Sequence, residues 1–304
     1  MKITKIYQPP SIRLKKMVAK KRGWQMTSDF RRLREDRFLQ SRKFPIFAVA
    51  DGVLMVVKPG EKYPVPSGAG EVAKIFCNSA VEQAEKIFEG FQNEDIRDVF
   101  AKANSKIERY NSRCGRTKKT INFFDFDYFC ATAAFALIKN SELYWGSVGD
   151  SRVALADKNG KIKFASRDQV EPIEKLAARK ISHPKPQEKK YFQQKYYRNK
   201  LGPKGELIGY GVIDGEKEAL RYVEYGKAKI QKGEQLFIYT NGFTPYFKLP
   251  EFKKLFLKWP ADIEERVSNF AREYVAKSLP RDPNDQYRFL YKYESEKSLI
   301  AVRF

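Results

Sequence analysis

The chain has 304 residues, 42% of them hydrophobic and 32% charged, so it can bury one large core or two small ones. Its formal net charge of +22 points to anionic partners such as phosphoproteins, nucleic acid or an acidic membrane surface, without choosing among them. Three cysteines without paired ligand spacing and a single histidine, His183, exclude a closed disulfide framework, a His-based zinc site and a Ser-His-Asp triad, and a reducing, cytoplasmic setting is expected.

Residues 1–30 carry Lys2, Lys5, Arg13, Lys15, Lys16, Lys20, Lys21 and Arg22 with Pro9 and Pro10, and read as a loosely ordered basic arm without the apolar stretch of a secretion signal. From Phe44 to Val57 a dense apolar run broken by Asp51-Gly52 reads as two strands joined by a tight turn. Val72, Ile75, Phe76, Ala80, Ala84, Ile87 and Phe91 then recur at helical steps, and Asn93 is placed to cap a second helix bearing Ile96, Val99, Phe100, Ala103 and Ile107. The period changes to that of strands over Phe129–Ile138, Leu143–Val148, Val153–Ala156 and Ile162–Ala165, with Asn140-Ser141, Gly149-Asp150 and Asn159-Gly160 as turns of consecutive hairpins.

A short helix is expected near Pro172–Lys180, followed by a basic insert over 179–204 whose prolines, Pro184, Pro186 and Pro203, argue against regular structure. Tyr191, Phe192, Tyr196 and Tyr197 interleave its lysines, which suits either a single-stranded nucleic-acid surface or a solvated Lys-rich face. Strands resume at Leu220–Val223, Lys227–Ile230 and Gln235–Tyr239, an amphipathic helix covers Ala261–Leu279, and Ser298–Phe304 closes the chain as a strand. No stretch approaches about 20 uninterrupted apolar residues, so no membrane span is expected. The sum is one α+β domain over 31–304, two stacked antiparallel sheets flanked by helices.

Two acidic turns carry the chemistry. Ala50-Asp51-Gly52 and Gly149-Asp150-Ser151-Arg152 each follow an apolar strand, which would hold a carboxylate in fixed geometry beside a glycine that lets a metal or phosphate approach the backbone. Plainer readings exist for each. Asp51-Gly52 also suits an ordinary hairpin turn, Asp150 could pair with Arg152 or cap its own turn, and Glu35-Asp36 lies among Arg31, Arg32, Arg34 and Arg37 as a solvated charge cluster would.

The order of these pieces resembles the metal-dependent protein phosphatases of type 2C, the PPM family, from about Glu35 to the C-terminus. Glu35-Asp36, Asp51-Gly52, Cys130-Ala131-Thr132-Ala133, the unchanged Gly149-Asp150-Ser151-Arg152, Asp168-Gln169 and the strand ending at Asn241-Gly242 stand in the family's sequence. The resemblance implies a four-layer αββα sandwich and phosphomonoester hydrolysis on protein serine or threonine by metal-activated water. It implies two Mg²⁺ or Mn²⁺ ions, with Asp51 bridging them, the Gly52 carbonyl as a ligand, Glu35 or Asp36 holding metal-bound water, and Asp150 at an outer ion. Arg31 would bind the substrate phosphate.

The chain departs from the family where Asn241 replaces an aspartate, where Ser295 aligns with the terminal aspartate, and where Val53-Leu54 replaces Gly-Gly. Glu294 or Glu296 would fill the terminal ligand position if the register shifts by one. Each lost carboxylate weakens the hold on a cation. A phosphatase with a weakened metal site is therefore expected, acting on a phosphorylated protein. The alternatives are a pseudophosphatase serving as a binding or regulatory module, and a nucleic-acid- or ribosome-associated protein using the basic segments.

Overall fold

The computed structural model describes residues 1–304 except 32, 59 and 182–185; the side chains of 31, 186, 187 and 284 also lie outside the described residues, as does His183. The chain begins with β1 (Lys2–Gln8), α1 (Ile12–Arg22), α2 (Ser28–Arg31), β2 (Arg37–Gln40) and β3 (Ile46–Gly52), followed by the long helices α3 (Gly68–Lys86) and α4 (Asp95–Arg113). Next come β4 (Ala131–Lys139), β5 (Glu142–Val148), β6 (Arg152–Ala156) and β7 (Ile162–Ala165), then α5 (Val170–Lys180) and α6 (Pro186–Tyr196). The last third holds β8 (Glu224–Lys229), β9 (Gln235–Tyr239), α7 (Thr244–Phe247), α8 (Pro250–Lys258), α9 (Ile263–Ser278), α10 (Pro283–Tyr293) and β10 (Lys297–Arg303).

The strands form two antiparallel sheets of five, ordered β1-β10-β9-β6-β7 and β2-β3-β4-β5-β8. Alternation along β3 and β4 builds the layers. Phe47, Val49, Ala134 and Ala136 face the other sheet, where Val153, Leu155, Leu236, Ile238, Ile300 and Val302 meet them in a dry core. Ile46, Ala48, Ala50, Ala133, Phe135 and Leu137 point the opposite way, into the cluster shared with Val72, Phe76, Phe100 and Ile107 of α3 and α4. On the far side, Phe237 of β9 packs edge-on against Phe256 of α8 at 5.0 Å. Helix, sheet, sheet and helix thus stack in four layers, as the resemblance implies.

Several local expectations change. The first residues are part of the fold: β1 pairs with β10 from Lys2↔Arg303 to Gln8↔Lys297, and α1, capped by Ser11 Oγ accepting from Leu14 N at 3.0 Å, buries Leu14, Val18 and Ala19. Lys16, Lys20 and Lys21 face outward while Lys15 is buried with its Nζ donating to Leu33 O at 3.3 Å, and this density of lysines hid the apolar stripe. Residues 53–57 form no strand, and Leu220–Val223 lies mostly in a 3-10 turn. Gly149-Asp150 does not close a hairpin. It carries the chain from β5 in one sheet to β6 in the other. Within the basic insert, α6 is regular despite Pro186, because proline is tolerated in the first turn of a helix.

Candidate active site

β2 and β3 run antiparallel with Arg37 opposite Ala50, so the next pair outward is Asp36 and Asp51. Asp36 is fully buried and Asp51 half-buried, and the two carboxyl groups face each other closely enough to share a hydrogen bond. Both are pushed up from the ordinary aspartate range. For Asp36 loss of hydration is the main cause and the nearby Glu296 charge the next; for Asp51 loss of hydration again leads, then the charges of Asp36 and Asp150. Thr240 Oγ1, at the end of β9, donates to Asp36 Oδ2 at 2.7 Å and fixes the lower acid.

Gly52 completes the strand end. Its N–H donates to Glu35 O at 3.4 Å, and a Cβ there would stand 2.7 Å from the Ala69 backbone, so only glycine lets α3 approach this closely. Glu35 is buried, and the Tyr63 hydroxyl donates to its Oε1 while itself accepting from Met55 N at 3.0 Å. Burial raises the Glu35 pKa to about 7 against the opposing pull of Tyr63. Glu296 lies beneath this loop. Its carboxylate accepts from Glu35 N at 2.9 Å and 3.1 Å and from the Tyr7 hydroxyl at 2.8 Å.

The second acidic turn approaches from the other sheet. Gly149 has φ +80°, and a Cβ would meet Thr132 Cγ2 at 2.4 Å, so glycine is required for the chain to cross here. Gln169 Oε1 accepts from Gly149 N and from Gly211 N, both at 3.1 Å, while Asp168 Oδ1 accepts from Val170 N and Glu171 N at the start of α5. Asp150, half-buried, accepts from Asn241 Nδ2 at 2.9 Å. Loss of hydration raises its pKa to about 6. Asp51 senses the Asp150 charge, so the two turns stand close enough to interact electrostatically.

A family model described as Protein phosphatase 2C matches residues 31–281. The chain belongs to the protein phosphatase 2C family. No match is found among the curated proteins. Among solved structures, the Mycobacterium tuberculosis serine/threonine phosphatase PstP/Ppp is similar with a TM-score of 0.59 at 10% identity, covering 100% of this chain and 98% of that one. The catalytic domain of PstP in complex with two manganese ions gives 0.55 at 10% identity over 99% and 96% of the two chains. PppA, a regulatory component of T6SS in Pseudomonas aeruginosa, gives 0.55 at 12% identity over 100% and 97%. At such low identity these likenesses speak to the fold alone, and the fold is that of the 2C phosphatases.

The structure brings Asp36, Asp51, Gly52, Glu35, Asp150, Asn241 and Glu296 to the same end of the sandwich; the Arg31 side chain lies outside the described residues. Among the described residues no group of three or more acid, cysteine or histidine side chains is assembled as a ready metal cage. The donor set nevertheless suits a hard dication: all are oxygens, Asp36 Oδ1 and Asp150 Oδ1 are buried without a hydrogen-bond partner, and the raised pKa values show that ionising these acids is costly without a nearby cation. What fits best is the Asp36–Asp51 pair. Glu296 is less available, since its oxygens are engaged by Tyr7 and the Glu35 N–H.

Sequence reasoning did not find Tyr63, Thr240 or Lys190. Lys190, on α6 of the insert, donates from Nζ to Leu54 O, just beyond Asp51-Gly52, and its charge stabilises the Glu35 carboxylate. Loss of hydration lowers its own pKa to about 8. The insert is anchored by Arg198, whose Nη1 and Nη2 donate to Asp127 at 2.9 Å and 2.7 Å and whose Nε lies 3.5 Å from Asp214 Oδ2, all three side chains almost wholly buried. Nothing in the spacing of Asp127, Arg198 and Asp214 signals that triad; Thr240 alone had a cue, its place directly before Asn241-Gly242.

Proposed function

We infer that this protein is a divalent-metal-dependent protein serine/threonine phosphatase. The observation that carries the reading is the Asp36–Asp51 pair on adjacent strand ends, in a chain that the 2C family model matches across 31–281. Asp51 and Asp36 would hold Mg²⁺ or Mn²⁺ together with the Gly52 carbonyl, and Asp150 would serve a second, weaker position. A dication held there would supply charge to polarise phosphoryl oxygens and to acidify a bound water.

The chain's own groups do the rest. Thr240 keeps Asp36 oriented, and the Asn241 amide orients Asp150 while adding no charge. Glu35, whose pKa burial raises to about 7, accepts from Tyr63 at Oε1, which leaves Oε2 as the oxygen that can exchange a proton. Arg31, by family resemblance, would receive the substrate phosphate.

The test is phosphate release from an aryl phosphate and from phosphothreonine peptides, with and without Mn²⁺. Mn²⁺-dependent release that vanishes in Asp51→Asn supports the reading, and no release at any Mn²⁺ or Mg²⁺ concentration rejects it. One observation favours a second reading, a phosphoprotein-binding module without turnover: Asn241 already satisfies Asp150 with a neutral amide. Peptide binding without hydrolysis would select that module.

A further inference from the structure

Three segments distant in sequence meet around the loop that follows Asp51-Gly52. The last turn of α1 carries Lys20, Lys21 and Arg22, and Gly23 at φ 69° turns the chain back. Gly60 N then donates to Gly23 O at 2.7 Å and Trp24 Nε1 to Val57 O at 3.0 Å, so the loop is fastened to the end of α1. Trp24 packs on Tyr63 at 4.9 Å, and Tyr63 reaches Glu35. From α6, Lys190 fastens the same loop at Leu54 O. From α10, the Tyr287 ring lies 4.1 Å from Lys21 Nζ, and Tyr291 is 45% exposed.

These cations stand beside the loop that follows Asp51-Gly52. The Arg22 guanidinium, 5.6 Å from the Trp24 ring, exerts its charge on Tyr63, Lys190 and Tyr291, while Tyr291 also senses Asp51. Among the described residues, Lys20, Lys21, Arg22 and Lys190 form no ion pair with an acid, although lysines elsewhere do so freely. Arg22 Nε is buried without a hydrogen-bond partner. Lys20, Lys21 and Arg22 thus form a positive rim beside the acidic turns, which Lys190, whose charge already acts on Glu35, joins at Leu54 O.

We propose that this rim, Lys20, Lys21, Arg22 and Lys190 with Tyr287 and Tyr291, docks an acidic stretch of the phosphorylated protein beside the phosphoresidue. The preferred substrates are then acidic phosphoproteins, an assignment that rests on the phosphatase reading above. A peptide fits better than single-stranded nucleic acid because the rim adjoins the acids proposed to receive the phosphoresidue and because, of its rings, Trp24 is buried between Phe30 and Tyr63 and only Tyr291 is exposed, too few for successive bases to stack on.

Binding and turnover are measured separately, so that the two readings can fail independently. Two phosphothreonine peptides of equal length, one flanked by Asp and Glu and one by Gly and Ser, are titrated into the full chain with Mn²⁺ by fluorescence anisotropy, and phosphate release is followed in parallel. The acidic peptide should bind about tenfold tighter at low salt, with the preference largely gone near ~0.5 M salt. Lys21→Glu, at an exposed position that folding tolerates, should cut the preference about threefold, and Arg22→Glu with Lys190→Gln should remove most of it. Equal affinities at low salt, or a preference undiminished in Lys21→Glu, overturn the proposal. Displacement of the acidic peptide by a tighter-binding single-stranded oligonucleotide overturns it too, in favour of nucleic acid. A retained acidic preference without phosphate release leaves the docking rim standing and rejects the phosphatase reading.

Discussion

Asn241 Nδ2 donates to Asp150 Oδ2 across 2.9 Å, tying the end of β9 to the crossing between β5 and β6 with a neutral amide where the resemblance to the family implies a carboxylate. In Asn241→Asp that donor becomes a second acid at hydrogen-bonding distance from Asp150. Without metal the two carboxylates repel, and the variant should lose about 1–3 kcal/mol of stability. With Mn²⁺ the added charge should tighten binding by tenfold or more, read by calorimetry. An unchanged Mn²⁺ affinity would place Asn241 outside any cation's reach.

The raised acids give the metal-free protein a distinctive pH response. Folded Glu35 titrates near about 7 against 4.5 in the unfolded chain, and Asp150 near about 6 against 3.8. Between these limits the folded state binds more protons than the unfolded one, so stability falls as pH rises from about 4, and Asp36, raised to about 8, carries the fall on to at least about pH 8. Mn²⁺ held by the ionised acids, as proposed above, should reverse the trend. Thermal melts at about pH 5 and pH 7.5, with chelator and with Mn²⁺, read both slopes; Glu35→Gln should flatten the chelated one. That variant separates the effect from self-repulsion of a +22 chain, which acts in the opposite direction as pH falls. A chelated slope that rises with pH would refute the desolvated-acid picture.

Much of this site was legible because short-range chemistry fixed it. Asp51 and Asp150 follow apolar strands, and glycine at 52 and 149 is demanded by contacts with Ala69 and Thr132, so each motif carries its own steric reason. The two central sheets were readable from alternation in β4, β5, β6 and β9. Legibility failed where outward lysines masked a buried stripe, as in α1, and where the partner lies far away in sequence. β1 needs β10 nearly 300 residues on, and Lys190 needs Leu54. The crossing at Gly149-Asp150 was misread as a hairpin because a turn signal states that the chain bends, and says nothing of which sheet receives the next strand.

Tyr63 connects the loop to the acids through one oxygen, which accepts from Met55 N and donates to Glu35. Tyr63→Phe leaves a buried N–H unsatisfied and removes the donor that holds the Glu35 pKa down. A stability loss of about 1–2 kcal/mol in urea is expected. The acid limb of the pH–rate profile should also move to higher pH. A stability loss without that movement would mean that Glu35 does not titrate in the reaction.

Arg198 anchors the insert that carries Lys190. Its guanidinium neutralises Asp127 and Asp214 in a space closed to water, and the segment is stitched further by Asn199 N donating to Tyr210 O at 2.9 Å and Asn199 Nδ2 to Asp214 Oδ2 at 3.0 Å. Arg198→Met strands two buried carboxylates and should cost about 3–5 kcal/mol. Adding Asp127→Asn to it removes one stranded charge, so the double variant should be more stable than the single one. In Arg198→Met, hydrogen exchange should rise in α6 and at Leu54 well before it rises in β4 or β9, because the contact through Lys190 depends on the anchored insert. Uniform exchange across both sheets and the insert would show that the triad supports the whole core rather than the segment over the site.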